Sequence, residues 1–152
     1  MKKWAVRFVS SFFYLGYSPI APGTVGTLGG VALFYGLSSF QFSPGGYILF
    51  LLGFIIFSIW VSEEAEAVFG QKDPSRVVID EVCGYLVTMF LVQPSWVNVI
   101  AGFFLFRFFD IVKPPPGRSL ERFKGGAGVV MDDILAGIYA NVILQVITRV
   151  IG

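Results

Sequence analysis

Long apolar stretches alternate with short polar segments along this chain of 152 residues. Asp, Glu, Lys and Arg are absent from residues 8–62, 82–106 and 134–148. Between these stretches lie two polar islands, residues 63–81 and 107–133, which hold all ten carboxylates and seven of the eleven Lys and Arg side chains. A charge at the centre of a bilayer costs about 2.5–3.5 kcal/mol. This segregation therefore indicates a membrane protein whose chemistry lies at one face.

The apolar pattern predicts an all-α fold, a small integral-membrane helical bundle of about five to six helices that forms one domain over residues 1–152. The predicted helices cover residues 1–15, 27–40, 47–61, 80–92, 96–112 and 131–151. The third is expected to continue through an acidic turn to a stop at Gly70. Loops rich in proline or glycine are predicted at residues 17–26 and 125–128. Residues 47–61 and 134–150 are the plausible spans.

The connecting segments predict the orientation of the bundle. The turns at residues 41–46 and 93–95 carry no charge. The two islands carry the basic residues Lys72, Arg76, Lys113, Arg118, Arg122 and Lys124. Because basic residues accumulate on the cytoplasmic side, we expect a multi-pass protein with both islands and the N-terminus facing the cytoplasm.

Composition excludes several kinds of chemistry. The net charge of +1 gives no indication of nucleic-acid binding. The chain has no histidine, which excludes a histidine nucleophile, base or metal ligand. The single cysteine, Cys83, excludes an intrachain disulfide, and no Arg follows it six residues later as in the cysteine-phosphatase loop. The Asp-X-Asp signature of haloacid-dehalogenase phosphatases is also absent.

Acidic pairs stand at the predicted starts of two helices. Asp80 and Glu81 open one helix, and Asp132 and Asp133 follow the glycine loop and open the last one. Carboxylates from different helix ends can converge on a hard divalent cation. Mg²⁺ prefers oxygen ligands and is usually bound by a few carboxylates together with water and substrate phosphate. These four carboxylates are therefore candidate metal ligands.

A third group mixes both signs of charge. Arg107, Asp110 and Lys113 are spaced at i, i+3 and i+6, which places neighbouring pairs on one side of a helix. Such bases bind phosphate oxygens, and Arg does so with two parallel hydrogen bonds. The loops at residues 18–27 and 125–128 offer backbone N–H groups to the same anion where they enter helices. Together with a metal and a membrane face, these groups indicate phosphoryl chemistry on a lipid headgroup.

Each group also has a purely structural interpretation. Acids in a first helical turn interact favourably with the helix dipole. Arg107, Asp110 and Lys113 can form a salt-bridge ladder on a helix surface. A glycine-rich segment without a preceding strand is a weak phosphate signal, and basic residues beyond it can attract anionic lipid. The joint occurrence of all the groups at one face favours function.

Four segments resemble the phosphatidylglycerophosphatase A family. They are YSPIAPGTVGTLGG at residues 17–30, IDEVCG at 79–84, FRFFDIVKPPP at 106–116 and GGAGVVMDDILAG at 125–137. Their order and spacing agree with the family pattern over most of the chain. The resemblance implies a central helix surrounded by others and a Mg²⁺-dependent enzyme of the bacterial inner membrane. It also implies hydrolysis of phosphatidylglycerophosphate, a phospholipid substrate, to phosphatidylglycerol and inorganic phosphate.

The residues and the resemblance together give a hypothesis for each role. The predicted metal ligands are Asp80, Glu81, Asp132 and Asp133. The predicted catalytic residues are Asp80, Asp110, Asp133, Arg107 and Lys113. The predicted substrate-binding residues are Thr24, Gly26, Arg107, Lys113, Arg118 and Arg122. Asp110 either completes the metal site or acts as a base on the attacking water, and the sequence does not exclude a phospho-aspartyl intermediate.

Two other classes of protein remain open at this point. A small transporter would need ionisable groups inside its spans, whereas the long apolar stretches here have none. A non-catalytic scaffold could bind anionic lipid through Arg118, Arg122 and Lys124, with salt-sensitive binding that does not depend on the acids. The oligomeric state does not follow from the sequence.

Overall fold

The computed structural model describes residues 1–120 and 122–151, and this part of the chain folds as an all-α bundle. Its seven α-helices are α1 Lys3–Ser10, α2 Pro22–Ser38, α3 Pro44–Phe69, α4 Ile79–Thr88, α5 Trp96–Val112, α6 Gly117–Leu120 and α7 Gly126–Ile151. A 3₁₀ turn, Leu15–Tyr17, lies between α1 and α2. The predicted all-α fold is confirmed.

Helix α4 forms the centre of the bundle. It packs against α2, α3, α5 and α7, and every one of its residues except Glu81 is buried. With ten residues it is only about 15 Å long, too short to cross a bilayer. Gly84 allows α7 to lie close by, since a Cβ at this position would come within 2.7 Å of the Asp133 carbonyl oxygen. A central helix surrounded by others, as the family resemblance implied, is therefore present.

Helices α3 and α7 are long and apolar enough to cross a membrane, over Pro44–Phe69 and Gly126–Val150. The outer face of α3 exposes large apolar side chains, including Leu49 (74% exposed) and Ile56 (69% exposed). A continuous apolar outer surface of this kind is expected where lipid surrounds a protein. The spans predicted from the sequence lie within these two helices.

Two segments predicted as loops are partly helical. Helix α2 begins at Pro22 instead of residue 27, and α7 begins at Gly126 instead of residue 131. A Cβ at Gly126 would overlap the α3 backbone at Ile59. This glycine therefore permits close helix packing and does not form a flexible loop. The prediction that Asp132 and Asp133 open the last helix is wrong, because they lie nearly two turns inside it.

The predicted helix ends need smaller corrections. The first helix ends at Ser10 instead of residue 15, because Phe12, Phe13 and Tyr14 adopt positive φ angles that reverse the chain. Helix α2 ends two residues early, and α4 ends at Thr88 instead of residue 92. The predicted stop at Gly70 is confirmed, since this residue caps α3 with a φ of 70°.

Candidate active site

An open cavity of about 580 Å³ lies at the end of the bundle where α4 begins. Its walls come from the starts of α2 and α4, the connector between α3 and α4, the end of α5 and the first two turns of α7. The charged residues predicted to carry the chemistry meet here: Asp80, Glu81, Arg107, Asp110, Lys113, Asp132 and Asp133.

Asp80 and Glu81 lie in the first turn of α4 and point into this cavity. Asp80 is only 6% exposed. Within the described part of the chain, Asp80 Oδ1 and Glu81 Oε2 have no hydrogen-bond partner. Burial raises the pKa of the Asp80 carboxyl to about 6, and burial beside Asp80 raises the pKa of Glu81 well above its usual range. The oxygen atoms of both side chains that lack a partner are buried, and they are therefore candidate ligands for a cation.

Asp133 reaches the same place from α7, and its own backbone carbonyl lies where α7 passes close to Gly84 of α4. It is 4% exposed, and its Oδ2 also has no partner among the residues described. One carboxylate oxygen from each of Asp80, Glu81 and Asp133 lies within 4.8 Å of the others. These three side chains therefore form a compact set of oxygen donors.

A second set of carboxylates adjoins the first. Oxygens of Asp110, Asp132 and Asp133 also lie within 4.8 Å of one another, so that Asp133 belongs to both sets. Asp132 thus belongs to a different set from Asp80 and Glu81, and the sequence, which predicted all four acids as metal ligands, left the number of ions open.

Among the described residues, short ion pairs connect the acids of the cavity to its bases. Arg107 Nη1 lies 2.5 Å from Asp110 Oδ2, one turn apart on α5 as the spacing predicted. Lys113 does not lie on the same side of α5 as Arg107 and Asp110. It caps α5 with a φ of 49° and turns toward α7, where its Nζ lies 2.5 Å from Asp132 Oδ2. The bases are therefore held in place by acids from two different helices.

The start of α2 closes another side of the cavity. Gly23 is the glycine that matters here, because a Cβ on it would lie 2.6 Å from Glu81 Oε1 and 3.2 Å from Arg107 Nη1. Gly26, predicted to bind substrate, instead packs against Val78. Of the described residues, the lining includes Pro22 and Gly23 but not Thr24. The unpaired N–H groups of a first helical turn are donors that suit an anion.

Some of the predicted binding residues lie outside the cavity, and others were missed. Arg118 and Arg122 are exposed and do not contribute to the described lining. The connector between α3 and α4 instead contributes Lys72 and Ser75. Lys72 lies in the first polar island, which was a sign that it could belong to the site. It is far from Arg107 and Lys113 along the chain, so the sequence did not show that it lines the same cavity.

The donor set suits a hard divalent cation. Every candidate ligand is a carboxylate oxygen, with neither nitrogen nor sulfur donors in the two sets. Mg²⁺ and Mn²⁺ favour such oxygen ligands, whereas softer metals favour imidazole or thiolate. Buried carboxylate oxygens without partners in the described chain need a positive charge to offset the loss of water. The residues present therefore fit Mg²⁺.

Comparison with known proteins gives the family. The model of the phosphatidylglycerophosphatase A family matches residues 8–148. The chain belongs to this family. Two curated relatives are named phosphatidylglycerophosphatase A. The one from Haemophilus influenzae is 35% identical over 82% of this chain and 77% of its own, and the one from Escherichia coli is 34% identical over 89% and 78%.

A third curated relative is not named phosphatidylglycerophosphatase A. A protein of Bacteroides thetaiotaomicron, named a putative phosphatidylinositol-3-phosphatase, is 41% identical over 95% of this chain and 94% of its own. No solved structure matches the chain. Family membership makes the protein an enzyme, a phosphoric monoester hydrolase.

Proposed function

We propose that this protein hydrolyses phosphatidylglycerophosphate to phosphatidylglycerol and inorganic phosphate, with Mg²⁺ as cofactor, at the cytoplasmic face of a bacterial inner membrane. The observation that carries the proposal is the cavity in which buried carboxylates, without partners among the described residues, lie beside Arg107 and Lys113. The names of the relatives from Haemophilus influenzae and Escherichia coli support the substrate. The positive-inside pattern supports the orientation.

Mg²⁺ would be held by the buried acids. Asp80, Glu81 and Asp133 supply one compact set of oxygens, and Asp132 lies on the other side of Asp133. When bound, the ion neutralises charge on the phosphoryl group and fixes its orientation. The remaining steps depend on side chains of the protein.

Arg107 and Lys113 bind the phosphoryl oxygens in this proposal. Their partners Asp110 and Asp132 restrain them, so that little side-chain freedom is lost when phosphate arrives. First-turn N–H groups of α2, near Gly23, add uncharged donors. Phosphoryl transfer needs mainly positioning and charge neutralisation, which these groups supply.

Asp110 lies beside the base Arg107 and near the predicted metal ligand Asp133. Arg107 holds its Oδ2, and an oxygen of its carboxyl group lies within 4.8 Å of an oxygen of Asp133. Asp110 can therefore accept a proton from the attacking water or serve as a metal ligand. Water attack and a phospho-aspartyl intermediate both use this arrangement.

A second substrate has specific support. The relative from Bacteroides thetaiotaomicron is 41% identical over nearly the whole chain, and its name refers to a phosphatidylinositol 3-phosphatase. Both lipids present a phosphomonoester on a headgroup that is linked to diacylglycerol through a phosphodiester. Phosphatidylinositol 3-phosphate is therefore the second candidate, acted on by the same residues.

The test is phosphate release by the purified protein in detergent micelles, with each lipid separately, in Mg²⁺ and then in excess EDTA. We expect release from phosphatidylglycerophosphate that EDTA abolishes and renewed Mg²⁺ restores. Glu64→Gln removes an acid outside the cavity and should behave as the parent protein. Release from the inositol lipid alone would select the second candidate. Failure of the folded protein to release phosphate from either lipid would refute both.

A further inference from the structure

We propose that Asp110, Asp132 and Asp133 form a second divalent-cation site, which shares Asp133 with the site at Asp80 and Glu81. This inference rests on the proposed function and adds to it the number of cations and the role of Asp110. Asp133 would contribute a ligand to both sites.

The first argument is the arrangement of the five acids. They divide into two sets of three, each with its oxygens within 4.8 Å, and Asp133 is the only member common to both. Asp110 and Asp132 do not belong to the set that contains Asp80 and Glu81, so one ion position does not account for all five carboxylates. Pairs of divalent cations about 3.5–4 Å apart, with ligands shared between them, recur in enzymes that hydrolyse phosphate esters.

The second argument is the state of Asp133 itself. Its side chain is 4% exposed, and its Oδ2 has no hydrogen-bond partner in the described chain although it lies among four other carboxyl groups. A buried carboxylate oxygen without a partner is costly unless an opposite charge is adjacent. The Asp133 side chain therefore indicates a bound cation where the two sets meet. This observation does not depend on how many acids the cavity contains.

The third argument comes from the distances between carboxyl groups. In each set the three carboxylate oxygens lie within 4.8 Å of one another. Like charges this close disfavour each other's ionised form, and a cation between them offsets the repulsion. Each set therefore offers one position for a cation.

The balance of charge also favours two ions. Six carboxylates and three bases line the cavity, because Asp73 and Lys72 lie there together with the five acids, Arg107 and Lys113. A phosphomonoester adds about 1.5 to 2 negative charges near neutral pH. With one divalent cation the occupied cavity stays strongly negative, whereas two bring it close to neutrality.

The rival arrangement uses Lys113 as the second positive charge. Its Nζ already contacts Asp132 Oδ2, and Arg107 contacts Asp110 Oδ2. The contact with Arg107 engages Oδ2 of Asp110, and an Asp110 oxygen also lies within 4.8 Å of oxygens of Asp132 and Asp133. The two arrangements differ in the number of bound ions, which can be counted.

The experiment counts ions directly. Full-length protein in detergent is stripped with EDTA and titrated with Mn²⁺, with bound metal measured by elemental analysis and the spin state by electron paramagnetic resonance. We expect two Mn²⁺ per chain with the spectrum of a coupled pair. Asp110→Asn should bind one Mn²⁺ and show an uncoupled spectrum. Glu64→Gln should match the parent, which controls for ions on exposed acids.

The possible outcomes separate this inference from the proposed function. One Mn²⁺ per chain in a protein that still releases phosphate would overturn the second site and leave the function intact. A coupled pair in Asp110→Asn would overturn the role of Asp110. A coupled pair without phosphate release from either lipid would overturn the function and leave the second site intact. If Asp110→Asn does not fold, Asp132→Asn must lose the coupled pair instead.

Discussion

The two ends of the central helix α4 differ in whether their polar groups have hydrogen-bond partners. At its start, oxygens of Asp80 and Glu81 are shielded from water without a hydrogen-bond partner in the described structure. At its far end the backbone carbonyls are satisfied by side chains. Asn141 donates to the carbonyls of Thr88 (2.7 Å) and Phe90 (2.8 Å). Tyr47 donates its hydroxyl hydrogen to the Leu86 carbonyl at 2.8 Å.

The far end of this ten-residue helix therefore contributes to stability, and the near end to function. Satisfied polar groups at the far end allow α4 to stop inside the bundle, where few waters are available to its last carbonyls. Acids without partners in the described chain at the near end make the apo protein less stable and provide ligands for a cation. Substitutions at the two ends should therefore have opposite consequences.

The largest effect is expected at the near end. Asp80→Asn should lower phosphate release at least about 10³-fold, because the amide cannot supply the charge that a divalent cation requires. The same substitution removes a buried charge without a described partner, so the thermal midpoint measured in EDTA should stay constant or rise. Steady-state phosphate release and thermal unfolding in detergent provide the two measurements.

Asp133→Asn provides the parallel case on α7. Near-normal turnover in both variants would show that these carboxylates do not carry the chemistry. A loss of activity that accompanies a fall in the thermal midpoint would instead assign them a structural role.

The far end should give the reverse result. Asn141→Leu leaves the Thr88 carbonyl without its side-chain donor, whereas the Phe90 carbonyl keeps the longer bond from Gln145, so the free energy of unfolding should fall by about 1–3 kcal/mol. Phosphate release per folded molecule should remain within about threefold of the parent, since Asn141 lies outside the cavity. Denaturant unfolding and an activity assay at low temperature measure both.

Gln145→Leu serves as the milder comparison at the far end. Its Nε2 donates to the Phe90 carbonyl over a longer distance of 3.3 Å, and Phe90 also accepts from Asn141. The loss of stability should therefore be smaller than for Asn141→Leu. An equal or greater loss would show that the role assigned to Asn141 is incorrect.

The smallest effect concerns pH. Burial raises the pKa of Asp80 to about 6, above the value of about 3.9 expected in the unfolded chain. The metal-free folded protein thus binds more protons than the unfolded chain between these values, and its stability should fall as the pH rises from about 4 through about 6. Thermal unfolding in EDTA at several pH values measures this fall.

Mg²⁺ should reverse the pH effect. Metal ligands must be deprotonated, so added Mg²⁺ should raise the thermal midpoint more at pH 7 than at pH 5. Asp80→Asn should reduce both the loss of stability with rising pH in EDTA and the rise in thermal midpoint that Mg²⁺ causes. A stabilisation by Mg²⁺ that does not vary with pH would indicate binding elsewhere.

Much of the fold could be predicted because it depends on local pattern. Long apolar stretches gave the helices, and the stop at Gly70 followed from glycine's tolerance of positive φ. The pair of Arg107 and Asp110 followed from helical spacing alone. The start of α7 could not be predicted in this way, because the role of Gly126 depends on its contact with the α3 backbone.

The sequence by itself determined the helical class, the segregation of charge to one face and the family, since these depend on composition, periodicity and motif order. Only the tertiary structure decided which charges meet. Lys113 pairs with Asp132 on α7 because a positive φ turns it off α5. Asp133 joins both sets of acids because Gly84 lets two helices approach closely. Such contacts depend on helix packing, which the order of residues along the chain does not display.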